Sequence, residues 1–267
     1  MAQRYFVELS FKGTRYHGWQ IQPNAESVQS VLERTFSVFL RREIALTGAG
    51  RTDSGVHATC FVAHFETDSL PFQPADLVHK LNRFLPPDIS LHRIWPVPDE
   101  AHARFSALSR TYRYVINRRK DPFSTETGYT YLLPLDVEKM NEAAAVLLRY
   151  TDFTSFSRLH SDTKTNICRI YSACWEEKDG QLVFTIRADR FLRNMVRAVV
   201  GTLLEVGKGK LSVADVAAII EKQDRCAAGA SAPPHGLFLT AVEYPGNCAP
   251  PASDGIARSP GSCFPSI

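Results

Sequence analysis

The feature that most constrains the fold is an order of predicted elements that occurs twice along the chain. Alternating apolar residues predict strands, and apolar residues three or four positions apart predict helices. In the first half, strands are predicted at 4–11, 43–47, 59–66 and 89–95, with helices at 27–42 and from Pro74 to just before Pro86. Ser27 is the expected N-cap of the first helix, and proline at position 74 suits a first helical turn.

The second half repeats this order. It contains predicted strands at 108–117, 167–175, 181–188 and 237–244, and predicted helices at 136–149, 189–206 and 212–222. Asp179-Gly180 suits a tight turn between two strands, and Asp189 is the expected cap of the helix that follows it. We therefore predict an α+β fold of two β-α-β-β-α-β halves. Each half is a mainly antiparallel sheet covered by helices, with an active-site cleft between the halves.

The same pattern predicts where the domains begin and end. An N-terminal domain is expected over residues 1–106 and a C-terminal domain over residues 107–245. Residues 246–267 are rich in proline, glycine and serine and contain few apolar residues. We expect this last segment to be a disordered tail, because it has too little apolar surface to pack.

Basic residues are concentrated in one part of the chain, although the net charge of the 267 residues is only +3. The stretch 102–120 contains no acidic residue, and its basic residues are Arg104, Arg110, Arg113, Arg118, Arg119 and Lys120. Such a stretch attracts phosphate groups, because binding releases condensed counterions. A solvated face of a basic strand is the alternative that charge alone leaves open.

The cysteines and the apolar segments exclude several classes of protein. None of the six cysteines forms a C-x-x-C pair or a Cys/His spacing typical of metal sites. Scattered free thiols suit a reducing compartment. No apolar run is long enough for a signal peptide or a membrane span. We therefore expect a cytoplasmic protein that binds no metal and contacts no membrane.

The loop 48–57, G-A-G-R-T-D-S-G-V-H, is the strongest local motif. Its third glycine comes too late for the Rossmann fingerprint, and it lacks the lysine of a Walker phosphate loop. Arg51 and Asp53 alternate in this loop, so their side chains would lie on one side of an extended segment. An adjacent cation would favour the ionised carboxylate. Without further context, an ion pair that only braces the loop is the favoured interpretation.

This loop resembles the signature of the tRNA pseudouridine synthase A family, G-x-G-R-T-D-x-G-V-H. Other blocks resemble the family in the same order, from about residue 4 to residue 244. They are F-K-G-T-R-Y-H-G-W-Q at 11–20, H-A-R-F-S-A-L-S-R-T-Y-R-Y at 102–114, D-F-T-S-F at 152–156, F-L-R-N-M-V-R at 191–197 and Gly236-Leu237.

The resemblance implies a function and a set of site residues. Asp53 would be the catalytic nucleophile, Tyr112 would stack on the target base, and Arg197 would lie beside the aspartate. Arg51 is expected to bind substrate. The implied reaction converts uridine to pseudouridine at positions 38, 39 and 40 in the anticodon stem-loop of tRNA. A homodimer is implied as well, and an internal isomerisation needs no cofactor.

Three further residue patterns give secondary expectations. Arg190, Arg193 and Arg197 would share one face of a helix that begins near Asp189, with a solvated stripe as the alternative for the first two. Strand alternation places Tyr112 and Tyr114 on one face, and we expect Tyr114 to be a packing residue. We further expect His57 and His64 to be structural, whereas Trp19 suits either the site or the core.

Two other functions remain open from the residues alone. A non-catalytic RNA-binding module would also carry strand aromatics and basic residues. A hydrolase with paired carboxylates would need a second acidic residue near Asp53. The loop offers none, and Glu66 lies a full predicted strand away.

Overall fold

Residues 2–158 and 165–251 are described by the computed structural model. The first half of the chain has the predicted β-α-β-β-α-β order. Its elements are β1 (Gln3–Phe11), α1 (Val28–Leu40), β2 (Thr47–Gly48), β3 (His57–Thr67), α2 (Pro74–Asn82) and β4 (Ile89–Pro96).

The second half repeats the order with one short additional strand and a fifth helix. Its elements are β5 (Ser109–Asn117), β6 (Tyr129–Thr130), α3 (Val137–Val146), β7 (Ile170–Lys178), β8 (Gln181–Ala188), α4 (Met195–Gly207), α5 (Val213–Glu221) and β9 (Leu237–Glu243).

The strands of the described residues form one nine-stranded sheet. Its main order is β4-β1-β3-β9-β5-β8-β7, with β2 added to β3 and β6 added to β5. Most neighbours are antiparallel, which confirms the α+β class. The two predicted sheets are continuous with each other, because β9 pairs in parallel with β3 at His57–Phe238 and Ala58–Leu239. The last strand of the second half therefore lies between the two halves.

Helices cover one face of the sheet in each half. In the first half, α1 buries Val28, Val31, Leu32 and Phe36. Each such side chain stabilises the fold by about 2 kcal/mol, whereas an N-cap contributes about 1 kcal/mol. Packing therefore contributes more to holding α1 than its cap does, although the predicted cap at Ser27 is present as a reciprocal capping box with Ser30.

Only the last residue of the strand predicted at 43–47 is a strand residue. Side chains of α1 bind the backbone of the preceding residues. Ser37 Oγ accepts the Ile44 N–H at 2.9 Å, and Glu33 Oε1 accepts the Leu46 N–H at 2.8 Å. Because these donors are satisfied by the helix, they do not form a longer strand ladder.

The helix predicted to begin after Asp189 begins at Met195 instead. Asn194, its N-cap residue, has a left-handed backbone with φ of 66° and makes no side-chain cap. The Asp189 carboxylate accepts the backbone N–H of Arg169 at 2.8 Å, so it joins two loops rather than capping the helix. Arg190 and Arg193 therefore precede the helix, and the predicted helical face of three arginines is wrong.

Other local predictions are confirmed. Asp179 and Gly180 have φ values of 53° and 76° and connect β7 to β8 by a tight turn. Trp19, which the sequence left open between site and core, is a core residue, stacked on Phe61 with ring centroids 4.1 Å apart.

The chain still packs against the fold at the start of the segment that was predicted to be a disordered tail, residues 246–267. Cys248 is buried, and its carbonyl oxygen accepts the indole N–H of Trp95 at 3.2 Å. The rest of the predicted tail, residues 252–267, lies outside the described residues. In the part of the chain that the structure describes, no helix combines the length and apolarity that a membrane crossing needs.

Candidate active site

The loop that carries Asp53 rests on the segment after β1. The Tyr16 carbonyl oxygen accepts the Gly55 N–H at 3.3 Å and the Ser54 hydroxyl at 3.2 Å. Gly18 approaches the loop so closely that a Cβ atom there would lie 2.2 Å from the Thr52 carbonyl oxygen. Since Gly18 also has φ of +85°, only glycine suits this position without strain. The block 11–20 thus forms the support of the loop.

His57 fixes the end of the same loop. Its Nδ1 accepts the Gly13 N–H at 2.9 Å, which leaves Nε2 to donate to the His235 carbonyl oxygen at 3.1 Å. Burial lowers the pKa of this imidazole, so the neutral form with both contacts is favoured. His57 is therefore structural, as predicted. His64 is structural as well, because its Nδ1 accepts the Ala103 N–H at 3.1 Å.

Asp53 and Arg197 meet across the two halves of the chain. The Asp53 carboxylate lies 3.0 Å from an Nη1 of Arg197, and the two side chains are 22% and 19% exposed. Arg197 is the third residue of α4, and its Nε donates to the Ala232 carbonyl oxygen at 2.7 Å. The guanidinium group is therefore held from two sides, with one edge directed at the carboxylate.

Arg51 does not form the ion pair with Asp53 that the alternating spacing suggested. Its side chain is exposed, and within the described ranges it makes no ion pair with an acidic residue. The partner of Asp53 is instead Arg197, 144 positions away. The interpretation of R-x-D as a pair that braces the loop is therefore wrong, and Arg51 is left directed to solvent beside the loop.

Tyr112 lies where the helix-side cores of the two halves meet, since its ring packs against both apolar clusters. The ring of Phe191 stands edge-on to it, with centroids 5.2 Å apart and planes at 89°. Burial raises the pKa of the Tyr112 phenol to about 12, while the charge of nearby Arg110 lowers it and that of Asp53 raises it. The phenol is therefore neutral near pH 7, and it lies within range of the Asp53 charge.

Tyr114, two residues along the strand, is fully buried, and its hydroxyl donates to the Pro233 carbonyl oxygen at 2.9 Å. It is a packing residue, as predicted. The structure thus brings Asp53, Tyr112 and Arg197 together, whereas Arg51 remains at the rim.

Arg110 joins several backbone segments around the site, which the sequence pattern did not indicate. Its guanidinium group donates to the carbonyl oxygens of Ala49 at 3.0 Å and Asp189 at 2.9 Å, and to those of Ala107 and Arg104. It thus joins the start of the Asp53 loop to the segment before β5 and to the residue after β8. The only signal was its place on the strand face of Tyr112, which does not reveal backbone partners.

Comparison with known proteins identifies the family. A family model described as tRNA pseudouridine synthase matches residues 9–106 and 143–245, which include Asp53 and Arg197. This chain belongs to the tRNA pseudouridine synthase family. Tyr112 lies between the two matched segments, so its place in the site rests on the geometry described above.

Named relatives agree with the family model. The chain is 57% identical to a protein of Bacteroides fragilis named tRNA pseudouridine synthase A, over 91% of this chain and 97% of that protein. It is 56% identical to a protein of that name from Bacteroides thetaiotaomicron, over 91% of each chain. A third, from Porphyromonas gingivalis, is 54% identical over 91% of this chain and 97% of its own length.

The surroundings of this family member's site agree poorly with paired-carboxylate hydrolysis. Glu66 pairs with Arg4 near the end of β3 that is remote from the Asp53 loop. Within 2–158 and 165–251, no group of His, Cys, Asp and Glu side chains has the arrangement of a metal site. A cavity of about 790 Å³ lies against α1, and its lining residues, such as Phe39, Phe72 and Phe84, do not include Asp53.

Proposed function

We propose that this chain converts uridine to pseudouridine in tRNA, with Asp53 as the nucleophile. The observation that carries the proposal is the Asp53–Arg197 pair at 3.0 Å, with Tyr112 at the junction of the two cores and within range of the Asp53 charge. The family is one of isomerases, and the relatives' names specify tRNA. A carboxylate held by one arginine and left partly open to solvent suits nucleophilic attack on a bound nucleoside.

The reaction is an isomerisation, so its atoms balance without an added group. The bond between ribose and the ring nitrogen breaks, the base rotates, and a bond from ribose to a ring carbon forms. That carbon loses a proton, and the freed nitrogen carries one in the product. A covalent intermediate on Asp53 would divide this exchange into two easier steps.

Each neighbour of Asp53 has a distinct role in the proposal. Arg197 orients the carboxylate through their ion pair. Tyr112 offers an aromatic face to a base drawn out of its stack, which compensates for stacking lost in the RNA. Arg51, exposed at the rim, contacts the RNA backbone.

The finer substrate assignment rests on the family resemblance. We propose positions 38, 39 and 40 of the anticodon stem-loop as targets, in a homodimeric and cytoplasmic enzyme. Mapping of modified positions tests the first of these, and light scattering of the purified protein tests the second.

The decisive experiment compares the wild-type protein with Asp53→Asn on an unmodified tRNA transcript. The amide has the size of the carboxylate but no nucleophilic oxygen, so we expect pseudouridine with wild type and none with the variant. Asp68→Asn is the matched control, because Asp68 forms a comparable pair with Arg42 at 2.9 Å on the exposed surface. It should modify tRNA at the wild-type rate.

The binding of tRNA in the same samples separates the proposal from a non-catalytic RNA-binding module. Asp53→Asn should bind the transcript about as well as wild type. A wild-type protein that binds tRNA but never modifies it would support the binding module instead. Equal rates for wild type and Asp53→Asn would exclude Asp53 as the nucleophile.

A further inference from the structure

Phe105 is a large apolar side chain that the fold leaves in solvent next to the candidate site. Its ring is 76% exposed, yet it is held in place from its own loop. The His102 ring packs against it with centroids 4.3 Å apart, and the Arg104 guanidinium lies 5.5 Å from its centroid. An exposed phenylalanine held in this way presents an ordered aromatic face to solvent.

The loop that bears Phe105 is itself rigid. His102 Nδ1 accepts the backbone N–H groups of Arg104 at 3.1 Å and Phe105 at 3.3 Å. The His102 ring in turn contacts the buried His64, with centroids 4.7 Å apart. These contacts fix the loop from the core outward, so little freedom would be lost when a ligand stacks on the ring.

Arg110 connects this loop to the loop of Asp53. One guanidinium nitrogen, Nη2, donates both to the Ala49 carbonyl oxygen and to the Arg104 carbonyl oxygen. Ala49 lies four positions before Asp53 in the same loop. The loop that bears Phe105 and the loop that bears Asp53 are therefore joined through a single guanidinium group.

Arg104 lies within range of the charges of two other arginines, Arg51 and Arg190. Arg110 brings the segments of all three together, because its guanidinium group binds the carbonyl oxygens of Ala49, Arg104 and Asp189. Burial lowers the pKa of Arg104, and the charges of Arg51 and Arg190 lower it further. In the part of the chain that is described, none of the three forms an ion pair with an acidic side chain. Like charges held together in this way attract an anion with several oxygens, such as a phosphate group.

We propose that Arg104 and Phe105 bind the RNA nucleotide next to the target uridine, whose base stacks on Phe105 while Arg51, Arg104 and Arg190 hold its phosphate. An aromatic ring and a phosphate-binding cluster side by side match the two parts of a nucleotide. The inference rests on the proposed function and adds a positioning site to it. Its role is to hold the strand on one side while the target base turns towards Tyr112 and Asp53.

The chain contains a matched control for this pair of residues. Arg83-Phe84 is a second exposed Arg-Phe dipeptide, and its phenylalanine is 70% exposed beside the outer cavity of the first half. We therefore compare Phe105→Ala with Phe84→Ala, and Arg104→Gln with Arg83→Gln. Phe105→Tyr keeps the aromatic face and serves as the conservative variant.

Affinity for an unmodified tRNA transcript is measured in the Asp53→Asn background, so that no turnover is needed. We expect Phe105→Ala to weaken binding about tenfold, because base stacking on aromatic rings contributes strongly to RNA affinity. Phe105→Tyr should restore it, and Phe84→Ala should leave it unchanged. Arg104→Gln should lower the slope of log affinity against log salt by about one, whereas Arg83→Gln should not.

Two readouts in the active protein complete the test. Phe105→Ala should raise KM with a smaller effect on kcat, since the ring positions the strand and does not contact the reacting atoms. A transcript with 5-iodouridine beside the target should crosslink to the peptide that contains Phe105. Wild-type affinity and KM for Phe105→Ala, or equal losses with Phe84→Ala, would overturn the proposal. Failure of the proposed function would look different, because then neither wild type nor any active-site-intact variant would make pseudouridine, whatever its affinity for tRNA.

Discussion

Arg197 contacts two groups at once, the Asp53 carboxylate through one nitrogen and the Ala232 carbonyl oxygen through another. Both side chains of the pair are about one-fifth exposed, so removal of the arginine would leave a half-buried carboxylate without its partner. Asp53 itself is held by backbone contacts of its loop to Tyr16 and by the anchor at His57. The proposed nucleophile is thus positioned by neighbours that are distant in sequence.

The proposed role of Tyr112 can be tested by two substitutions. Tyr112→Ala removes the aromatic face, and we expect kcat to fall by about tenfold to a hundredfold, with a much smaller loss of tRNA affinity. Tyr112→Phe retains the ring and should keep most of the rate. Because burial raises the pKa of the phenol to about 12, the phenol stays protonated through pH 9. The pH profile of Tyr112→Phe should therefore match that of wild type up to this pH.

Steady-state rates and filter binding on the same tRNA transcript check this prediction. Equal losses of kcat and affinity in Tyr112→Ala would place the ring outside the catalytic pocket. A shifted alkaline limb in Tyr112→Phe would show that the phenol ionises during turnover.

At the level of elements, the site depends on a loop that rests on another loop. The three glycines of the motif differ in what requires a glycine at their positions. Gly55 has φ of +78°, and a Cβ at Gly48 would meet the indole of Trp19 at 2.5 Å, whereas a Cβ at Gly50 meets nothing within 4 Å. The supporting segment contributes Gly18, which touches Thr52 directly. The geometry of Asp53 is therefore determined partly by residues outside its own motif.

Gly18→Ala tests that support. The added Cβ would overlap the Thr52 carbonyl oxygen in a backbone conformation that L residues rarely adopt, so the Asp53 loop must move. We expect a loss of stability of about 1–3 kcal/mol and a fall in activity of about a hundredfold. Gly50→Ala is the control, with a change in stability of less than about 0.5 kcal/mol.

Urea unfolding and turnover of a tRNA transcript measure the two effects. Wild-type stability and activity in Gly18→Ala would show that the loop does not depend on this support. An equal loss of stability in Gly50→Ala would show that the close contact at Gly18 is not the cause.

For the whole molecule, the insertion of β9 between β3 and β5 makes the two halves parts of one sheet. An ion pair between Lys12 and Glu126 also joins them. The division into domains at residues 1–106 and 107–245 stays a prediction. The described contacts indicate that each half depends on the other for its stability, because β9 would lose a neighbouring strand if either half unfolded.

Unfolding should therefore be a single cooperative transition. Trp19 and Trp95 report on the first half and Trp175 on the second. In urea, a Trp175→Phe protein and a Trp19→Phe/Trp95→Phe protein should each show a fluorescence transition that coincides with its own far-UV circular dichroism. Separate midpoints for the two signals, in opposite directions in the two proteins, would show that the halves unfold independently.

The sequence alone determined the types and order of most elements and the family, because alternation, caps and turn residues act over a few neighbouring positions. The turn at Asp179-Gly180 and the cap at Ser27 are of this kind. Local spacing suggested Arg51 as the partner of Asp53, whereas the family resemblance implied Arg197, and the structure shows the pair with Arg197. Tertiary structure alone decided that Arg110 holds four backbone carbonyls. It also decided that α4 starts at Met195 and that two predicted sheets are one. These outcomes depend on groups that meet only after the chain has folded, and no local spacing encodes such meetings.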